Sequence, residues 1–495
     1  MKKVCFLSAV MAAVVCFPAQ AEYATKGDFT TYTLDDLCAI EASGVVGLDG
    51  IYAITNDLII AGGDSLKVNN AADIRILADA TLTVEGYIEL SSTDTIRVSN
   101  YDEGQYPRSI IIDGGCGVFS GVAFSGLGIY SWSEQPLTVE GCSFTGVTSA
   151  SNSNGAVSFG LSSYGNVIRG CTFTANEVPA IGSAGTAYCG MGIYDCVLID
   201  NNTANTNKPQ INITTPATYG PTVISGNTII GAERNMVGGI SVSNLVGGDM
   251  GEVEISGNTI RDHRYGINIY GPLKAVLKDN VLVDNRYESN PMNGGSAISC
   301  TAFSGQEDVV ISGNHIEGSL WGVTLISYGF LMPSSGYKGF ACVSLGGPAN
   351  SVFPSPGENV FVANGNDGYG YDPTTPYDLY NNTDQTVYAQ NNTWSVPEQT
   401  EELVAEVIYD KADNPSLGEV IYMPTHAGIG TIHADGASIS YDAAAQAVTG
   451  DSEVQIFTID GVKVLSGHGT VSTAALPAGI YIAVSPDATL KFAIH

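Results

Sequence analysis

Two segments of the sequence repeat a pattern of charged residues that could carry chemistry. IRDHRYGINI contains Asp262, His263 and Arg264, and LVDNRYESNP contains Asp284 and Arg286 at matching places. Two carboxylates at a separation of ~5–5.5 Å are the catalytic pair of a retaining glycosidase. Alternatively, an arginine beside a carboxylate-bound cation could abstract the proton alpha to a uronate carboxylate. A third interpretation is structural, because Asp and Arg in a turn also neutralise each other.

Aromatic residues in one long insertion form a second group of candidates. The segment SLWGVTLISYGFLMPSSGYKGFACVSL contains Trp321, Tyr328 and Tyr337. Rings on a loop beside a groove can stack on the C–H faces of sugars, so these three are candidate contacts to a polysaccharide or other glycan. The alternative is that they pack the loop onto the rest of the protein, because so long a loop needs apolar contacts of its own.

Candidate metal ligands are few. Acid-rich stretches occur at 101–104 (YDEG) and 364–372 (NGNDGYGYD), where oxygen atoms could bind calcium. Neither stretch has the spacing of an EF-hand loop, and solvated loop acids explain both. We therefore expect no cofactor.

A recurring position defines the elements that must hold these residues. ISGN occurs three times, ending at Asn227, Asn258 and Asn314, and related segments extend the alignment. The aligned positions, here called the slots, are 122, 142, 171, 196, 227, 258, 280, 314, 359 and 392. The two shortest separations are 20 and 22 residues and the others are longer and variable. A coil with a fixed minimum path and tolerated insertions gives this pattern.

The slots are expected to be structural. They hold Asn six times, Cys three times and Val once, an exchange that a turn facing a core accepts but a reacting atom does not. Gly and Asn suit a left-handed turn, and an inward Asn can bond to the Asn one coil away, which makes a ladder. Cys142, Cys171 and Cys196 are then expected to stack as free buried thiols. A disulfide between neighbours is the alternative, since the coil spacing lies within its range.

Short alternating runs between the slots indicate strands. GGISVSN, YGINIYG, SAISCTA and WGVTLIS are β-branched and flanked by glycine or polar residues, and no helical period accompanies them. About three strands per coil, stacked in parallel sheets, resemble the right-handed parallel β-helix of the pectate-lyase-like fold over Tyr52–Pro424. The resemblance implies an all-β, single-stranded β-helix. Within 32–43, the near-helical spacing of Leu34, Leu37, Cys38 and Ile40 predicts a short capping helix at its N-terminal end. The resemblance also implies that substrate lies along one sheet, between the turns that flank it.

The coil spacing connects the charged pattern to that fold. Asn258 and Asn280 are 22 residues apart, which leaves no room for an insertion. Asp262 is therefore expected to stack on Asp284, and Arg264 on Arg286. With His263, these four residues form the predicted catalytic set.

Charge and the N-terminus limit location and partners. The net charge of −31 repels nucleic acid and anionic lipid, so neither is an expected partner. Residues 1–21 read as a signal peptide, with a basic start, an apolar run and Ala19-Gln20-Ala21 before the cleavage site. No later run is long and apolar enough for a transmembrane segment. We expect an exported monomer.

The C-terminal segment reads as a separate domain. Residues 22–120 are expected to hold the N-terminal cap and first coils, 121–425 the β-helix, and 426–495 a small β-sandwich. The run VQIFTIDGVKVLSG followed by LPAGIYIAV resembles the type IX secretion sorting domain of Bacteroidetes. That resemblance implies an extracellular or outer-membrane surface location in a Gram-negative bacterium.

The sequence is compatible with two functions. The first is an exported β-helix protein that binds glycans or acts as an adhesin or scaffold. The second is a polysaccharide lyase or glycoside hydrolase that acts at the predicted catalytic set. The sequence leaves open whether the protein is an enzyme.

Overall fold

The computed structural model describes most of the chain. The described residues are 22–77, 80–100, 109–149, 154–214, 220–245, 250–290, 292–336, 338–347, 354–365, 377–424, 439–442, 445–458, 463–477, 479–485 and 488–494. The predicted signal peptide at 1–21 lies outside them. The chain forms two compact units, Met1–Thr425 and His426–His495.

The first unit is a right-handed parallel β-helix, as the fold prediction stated. The coils contribute strands to three sheets, here called A, B and C, which are parallel except where Val45–Leu48 pairs antiparallel with Ile51–Ile54. Sheet A has 14 strands, each paired with the corresponding strand one coil away. They are Tyr23–Ala24, Leu58–Ile60, Leu82–Val84, Ile110–Asp113, Ile129–Trp132, Val157–Phe159, Ile181–Ser183, Ile211–Thr214, Ile240–Ser243, Ile267–Tyr270, Ser296–Ala302, Trp321–Ser327, Tyr377–Asn382 and Ile408–Tyr409.

Sheets B and C meet at the slots. Sheet B comprises Thr31–Tyr32, Ser65–Val68, Leu137–Glu140, Ser163–Arg169, Cys189–Tyr194, Thr222–Ser225, Gly251–Ser256, Leu273–Lys278, Gln306–Ser312, Phe340–Gly346, Val387–Ala389 and Val420–Ile421. Sheet C comprises Val45–Leu48, Ile51–Ile54, Ala72–Ile76, Ser143–Thr145, Thr172–Thr174, Val197–Ile199, Thr228–Ile230, Thr259–Arg261, Val281–Val283, His315–Glu317 and Val360–Val362. Two long strands, Tyr87–Asn100 and Cys116–Ser125, run through both sheets.

A left-handed residue and an inward side chain make the turn between sheets B and C. The residue before every slot has a positive φ, as in Gly226 (71°) and Gly257 (63°). The left-handed residue is thus the one before the slot, where Gly is free of the Cβ penalty. The slot residue itself points into the core.

The slot asparagines form the predicted ladder, which is confirmed. We call Asn227, Asn258, Asn280, Asn314, Asn359 and Asn392 the first ladder. Each amide Nδ2 donates to the Oδ1 of the next member at 2.9–3.0 Å. The same Oδ1 also accepts from the backbone N–H of the previous member. These bonds fix the register of successive coils, because a slip by one residue would break all of them.

Cysteines and phenylalanines continue the stacked order towards the N-terminus. Cys142, Cys171 and Cys196 occupy the slot on successive coils, all buried and free, as predicted. Beside them Phe124, Phe144 and Phe173 stack nearly parallel, with ring centroids 4.6 and 4.8 Å apart. The buried hydrophobic residues of the coils, most of them aliphatic, form one continuous core.

Short helices accompany the β-helix. The capping helix is confirmed at Leu34–Cys38, where Thr33 and Asp36 form a capping box: Thr33 Oγ1 accepts from Asp36 N and Asp36 Oδ2 accepts from Thr33 N. Its buried Leu34 and Leu37 cover the first coils. The other helices of the described residues are Tyr328–Leu331 and Glu401–Ala405, with 3₁₀ turns at Glu41–Ser43 and Pro333–Ser335. None of these helices is long and apolar enough to cross a bilayer.

The second unit has its own apolar core and an antiparallel sheet. Its strands are Ile439–Asp442, Ala447–Thr458, Lys463–Ser472, Gly479–Ser485 and Ala488–Ile494. The long strand Ala447–Thr458 pairs with Ile439–Asp442 through its first part and with Gly479–Ser485 through its last part. A register shift separates the two parts, between Thr449 and Glu453.

Candidate functional site

One row of side chains on the outer face of sheet A has a composition unlike that of the core. On the strands Ile240–Ser243 and Ile267–Tyr270, the isoleucines and Val242 face inward and the alternate residues face outward. The outward positions align across coils into what we call the outer row. We give that name to the ten positions Tyr130, Ser158, Gly182, Asn212, Ser241, Asn268, Ser299, Thr324, Tyr380 and Tyr409. The same alignment continues towards the N-terminus through Ile111, Thr83 and Ile59.

The middle of the outer row is small, polar and uncharged. Four of its side chains are buried although they face away from the core: Ser158 and Thr324 fully, and Ser241 and Ser299 at 7% and 9% exposure. The row therefore reaches solvent only in places, such as at the partly exposed Asn212 and Asn268. Asn268 Nδ2 donates to Ser241 Oγ at 3.0 Å. Amide and hydroxyl groups in this setting can donate to and accept from a polar ligand.

An aromatic pair stands at the N-terminal end of the outer row. Tyr130 and Trp132 lie on one strand, two residues apart, with ring centroids 6.1 Å apart. A Cβ at Gly160 would lie 2.3 Å from Tyr130 Oη and 2.4 Å from Trp132 Cε3, so both side chains fill the space above that glycine. Trp132 is nevertheless 45% exposed, which makes it the largest solvent-exposed ring of this face among the described residues.

A tyrosine cluster stands at the other end. Tyr380 and Tyr409 stack at 4.8 Å with an interplanar angle of 9°. Tyr377 meets both rings edge-on, at 5.6 and 5.4 Å. All three are partly exposed. Tyrosines so arranged present an apolar face beside a hydroxyl, which suits ligands with alternating C–H and O–H groups.

The predicted acid pair occupies turns between sheets C and A. Asp262 and Asp284 follow the strands Thr259–Arg261 and Val281–Val283, which pair in register. Both have a left-handed backbone, with φ of 65° and 51°. The two acids therefore occupy equivalent places on neighbouring coils, as the 22-residue spacing predicts.

The two carboxylates differ in surroundings. Burial raises the pKa of Asp262 above its ordinary value; the Arg261 guanidinium opposes this, and the charge of Asp284 adds to it. Arg261 Nη1 contacts Asp262 Oδ2 at 2.5 Å. Asp284 is more exposed and lies 3.5 Å from Arg286 Nη1. Each acid is thus matched with an arginine of its own coil, an arrangement that neutralises charge as readily as it supports catalysis.

Two members of the predicted catalytic set have little exposure. His263 is fully buried, and its Nε2 lies 2.8 Å from Gln210 Nε2. It cannot contact a substrate outside the coil, which removes it from the candidate site. Arg264 is 8% exposed and donates through Nη1 to Oδ1 of the exposed Asn207. Its expected stacking on Arg286, which lies beside Asp284, stays a prediction.

His263 belongs to a second internal ladder that sequence inspection missed. Five side chains, Asn176, Asn201, Gln210, His263 and Asn285, form it, and we call it the second ladder. Asn201 Nδ2 donates to Gln210 Oε1 at 2.8 Å, and Gln210 Nε2 then meets His263 Nε2. The sequence signal was present: Asn176, Asn201, His263 and Asn285 all lie five residues after a slot.

The three aromatic candidates of the long insertion differ in their exposure to solvent. Trp321 is 2% exposed, with its ring close to Gly295, so it packs the structure and does not face solvent. Tyr328 begins the helix Tyr328–Leu331 and is partly exposed. Tyr337 lies outside the described residues. Trp132 and Tyr130 were missed, although the alternation in GIYSWSE places both on the face opposite Ile129.

The described residues offer no metal centre. They contain no group of three or more His, Cys, Asp or Glu arranged to hold an ion. The Sγ atoms of Cys142 and Cys171 contact backbone carbonyls within the core. The acid-rich stretch 101–104 and most of 364–372 lie outside the described residues, and calcium there stays untested.

Comparisons with known proteins place the similarity in the β-helix. A family described as periplasmic copper-binding protein (NosD) matches residues 108–315. No curated protein is significantly similar in sequence to the chain. The solved structure of the periplasmic alginate epimerase AlgG is similar, at 11% identity and a TM-score of 0.37, over 79% of this chain and 83% of that chain. A mutant of that enzyme gives 12% identity and a TM-score of 0.39, over 79% and 84%.

The copper-binding description of that family has no counterpart among the described residues of the matched segment. The matched segment contains the slot cysteines, but their thiols lie on successive coils of the core, each against backbone carbonyls. A column of that kind does not surround an ion.

Proposed function

We propose that this protein is an exported glycan-binding protein whose binding surface is the outer row of sheet A. One observation carries the proposal: the row has aromatic residues at both ends and only Ser, Gly, Asn and Thr between them. Rings supply stacking surfaces for sugars, and the short polar groups supply hydrogen bonds to hydroxyls. An adhesin or scaffold role on the cell surface would use the same outer row, with sheets B and C supporting sheet A.

Binding to a glycan array tests this proposal. Asn212→Trp would fill the middle of the outer row, where Asn212 is partly exposed, and is expected to abolish binding. Val197→Trp is the matched control, because Val197 is 36% exposed on sheet C, away from the row. Retained binding by Asn212→Trp, or loss of binding by both variants, would exclude the outer row as the site.

A second candidate function is a polysaccharide lyase or glycoside hydrolase. It is favoured by the position of Asp262, one coil from Asp284, and by the raised pKa of Asp262. A glycosidase pairs a general acid of raised pKa with a second carboxylate in this way. Turnover would appear as new reducing ends or as absorbance of unsaturated uronates. If Asp262→Asn and Asp284→Asn abolish such turnover while binding persists, the protein is an enzyme at these turns.

A further inference from the structure

We propose that this protein has a second binding surface, which takes a cationic glycan, a chain of amino sugars with free amines, at the N-terminal end of the β-helix. The surface is the edge where sheet A turns towards sheet B on the first five coils. We call it the glycine edge, and it comprises the segments 27–30, 61–64, 85–86, 113–115 and 132–136. Apart from Trp132, none of its residues belongs to the outer row or to the aromatic groups at its ends, so the inference goes beyond the proposed function.

The glycine edge is open to solvent along its length. Of its residues only Asp64, Gly115 and Ser133 are buried, and the others are exposed or partly exposed. The accessible glycines of these turns are Gly62, Gly63, Gly86 and Gly114. Because glycine has no side chain, a ligand can lie directly against the backbone at these places.

The register of sheet A gives the length of the glycine edge. Four strand-to-strand steps connect Ala24 on the first coil to Tyr130 on the fifth. At ~4.8 Å per step the edge extends over roughly 19 Å. That length suits an oligosaccharide more than a single sugar.

Phe29 stands in solvent at one end of the glycine edge. Its side chain is 86% exposed, and its backbone is left-handed with a φ of 66°, which is unfavourable for a bulky residue. The buried Asp64 holds this turn, because its carboxylate accepts from Gly27 N at 2.7 Å and from Thr30 N at 2.9 Å. A Cβ at Gly63 would lie 3.5 Å from the ring of Phe29, so the ring stands beside the glycines of the next coil. A well-held, exposed ring beside open backbone is a stacking surface for a sugar.

Trp132 stands at the other end, and acids lie next to it. Its side chain is 45% exposed. Asp113 pairs in register with Trp132, and Val84 pairs with Ile112. Glu85 and Asp113, which follow Val84 and Ile112, therefore occupy equivalent places on neighbouring coils. Carboxylates and the indole ring thus follow one another along the edge.

The charge of the glycine edge favours a cationic ligand. Its exposed acids are Asp28, Glu85, Asp113 and Glu134. None of these acids is in an ion pair with another described residue. The segments of the edge contain no Lys, Arg or His, and Lys26 lies just before the first of them. Ammonium groups are also attracted to the faces of aromatic rings, so the rings and the acids favour the same ligand.

The spread of these acids favours a chain over a metal ion. They lie on four different coils, and the described residues contain no group of three or more acids, His or Cys arranged to hold an ion. A ligand that carries several positive charges along its length matches that arrangement, and a polyuronate would be repelled by it.

The backbone of the glycine edge favours a glycan over a basic peptide. An extended peptide binds a β-protein by adding a strand to a free sheet edge. On the second to fifth coils, the strands on both sides of these turns already pair with the coil before and the coil after. A sugar chain needs no free strand, because its C–H faces stack on rings and its amines pair with carboxylates.

Titration calorimetry of the full chain with two β-1,4-linked oligosaccharides of equal length tests the inference. One is built from glucosamine, whose free amines are charged in mildly acidic solution, where exposed carboxylates stay largely ionised. The other is its N-acetylated and therefore neutral form. We expect the glucosamine chain to bind at least ~10-fold more tightly, with an affinity that falls as salt is added.

Two double variants separate the glycine edge from the net charge. Glu85→Gln with Asp113→Asn should lower the affinity for the glucosamine chain about tenfold, since it removes two exposed charge pairs. Glu402→Gln with Glu406→Gln is the matched control, because it removes the same number of charges from exposed residues near the last coil. The control should bind as the unmodified protein does.

A third variant removes a ring without disturbing the turn. Phe29→Gly is expected to fold, because Gly suits a left-handed backbone, and to bind the glucosamine chain at least ~5-fold more weakly. Tyr164→Ala, at a ring that is 66% exposed on a sheet B strand, is its control and should leave the affinity unchanged.

Several results would overturn the inference. Equal losses in the two double variants would assign the attraction to the net charge. Equal affinity for the acetylated chain, or tighter binding of oligolysine, would exclude a cationic glycan as the preferred ligand. Loss of binding in Asn212→Trp would place the chain on the outer row, which would support the proposed function instead. No binding of the glucosamine chain would overturn the inference alone, because the glycan array tests the proposed function separately.

Discussion

Asn258 shows what a single ladder residue contributes. Its Oδ1 accepts from Asn227 N and Nδ2, and its Nδ2 donates to Ile224 O and to Asn280 Oδ1. Asn258→Ala would leave these buried groups unpaired, at about 1–3 kcal/mol for each group that water cannot reach. We expect the free energy of unfolding to fall by roughly 3–5 kcal/mol, measured by urea denaturation.

Asn235→Ala is the control for this change. Asn235 is exposed and accepts from Asn205, so its loss should cost less than about 0.5 kcal/mol. Equal effects of the two substitutions would mean that the first ladder does not determine stability.

His263 predicts a pH dependence of stability. Burial lowers its pKa from 6.5 to about 3, partly offset by Asn285 and the backbone of Arg261. Gln210 Nε2 can only donate, so the neutral ring accepts at Nε2. Because the folded-state pKa lies below that of the unfolded chain, the stabilisation is complete above pH 6.5 and is lost as pH falls towards 3. The loss between pH 6.5 and 3.5 is roughly 4 kcal/mol.

The variant His263→Asn isolates this contribution, since Asn is the usual occupant of the second ladder. Its free energy of unfolding relative to the unmodified protein should rise as pH falls below 6.5, measured by urea denaturation at a series of pH values. Both proteins contain the same carboxyl groups, so the difference between them cancels the carboxyl contributions to the pH dependence of stability. Asp378 is one such group: burial raises its pKa to about 6, and its effect on stability is opposite to that of His263. His468→Asn, the same substitution at an exposed position, is the matched control. A pH-independent difference for His263→Asn would show that the ring is protonated in the folded protein.

The stacked slot cysteines are expected to resist alkylation in the folded protein. Cys142, Cys171 and Cys196 lie on adjacent coils, and the neighbouring thiol and burial raise the pKa of Cys171 to about 12. The Cys171 thiol and burial also raise the pKa of Cys196, whereas the hydrogen bond with Cys171 lowers the pKa of Cys142. All three thiols are buried, however, which keeps a reagent away from the sulfur atoms. Iodoacetamide should therefore leave all three unmodified in the folded protein and modify all three after denaturation without reductant, as read by peptide mass. Failure to alkylate any pair after denaturation would indicate a disulfide.

At the scale of the elements, the sequence predicted the architecture and part of the site. The slots located the turns because Asn, Cys and the preceding Gly are local requirements of a tight inward bend. Asp262 and Asp284 were placed on equivalent turns by counting from them. Trp321 was misjudged because its exposure depends on the loop around Gly295, which no local pattern reveals. Ring exposure at Trp132 likewise depends on neighbouring turns, although its outward direction follows from strand alternation.

The whole molecule combines a net charge of −31 with an uncharged outer row, the proposed binding surface. Sheet A extends this row over many coils, whereas each coil on its own contributes only one short side chain to it. Long-range order, held by the two ladders, is therefore what creates a surface large enough for a polymer. If the protein were instead a lyase or a glycoside hydrolase, its function would depend on the two turns that carry Asp262 and Asp284.

Ionic strength separates these possibilities at the scale of the molecule. Because the outer row lacks charged side chains, binding of a neutral glycan should change less than about twofold between roughly 0.05 and 0.5 M NaCl. A polyuronate would show the opposite behaviour, with affinity that increases as salt screens the net charge of −31. Titration calorimetry with both classes of ligand measures this. A strong loss of neutral-glycan affinity with salt would place binding at charged groups such as Arg261 and Arg286, and so at the turns and not on sheet A.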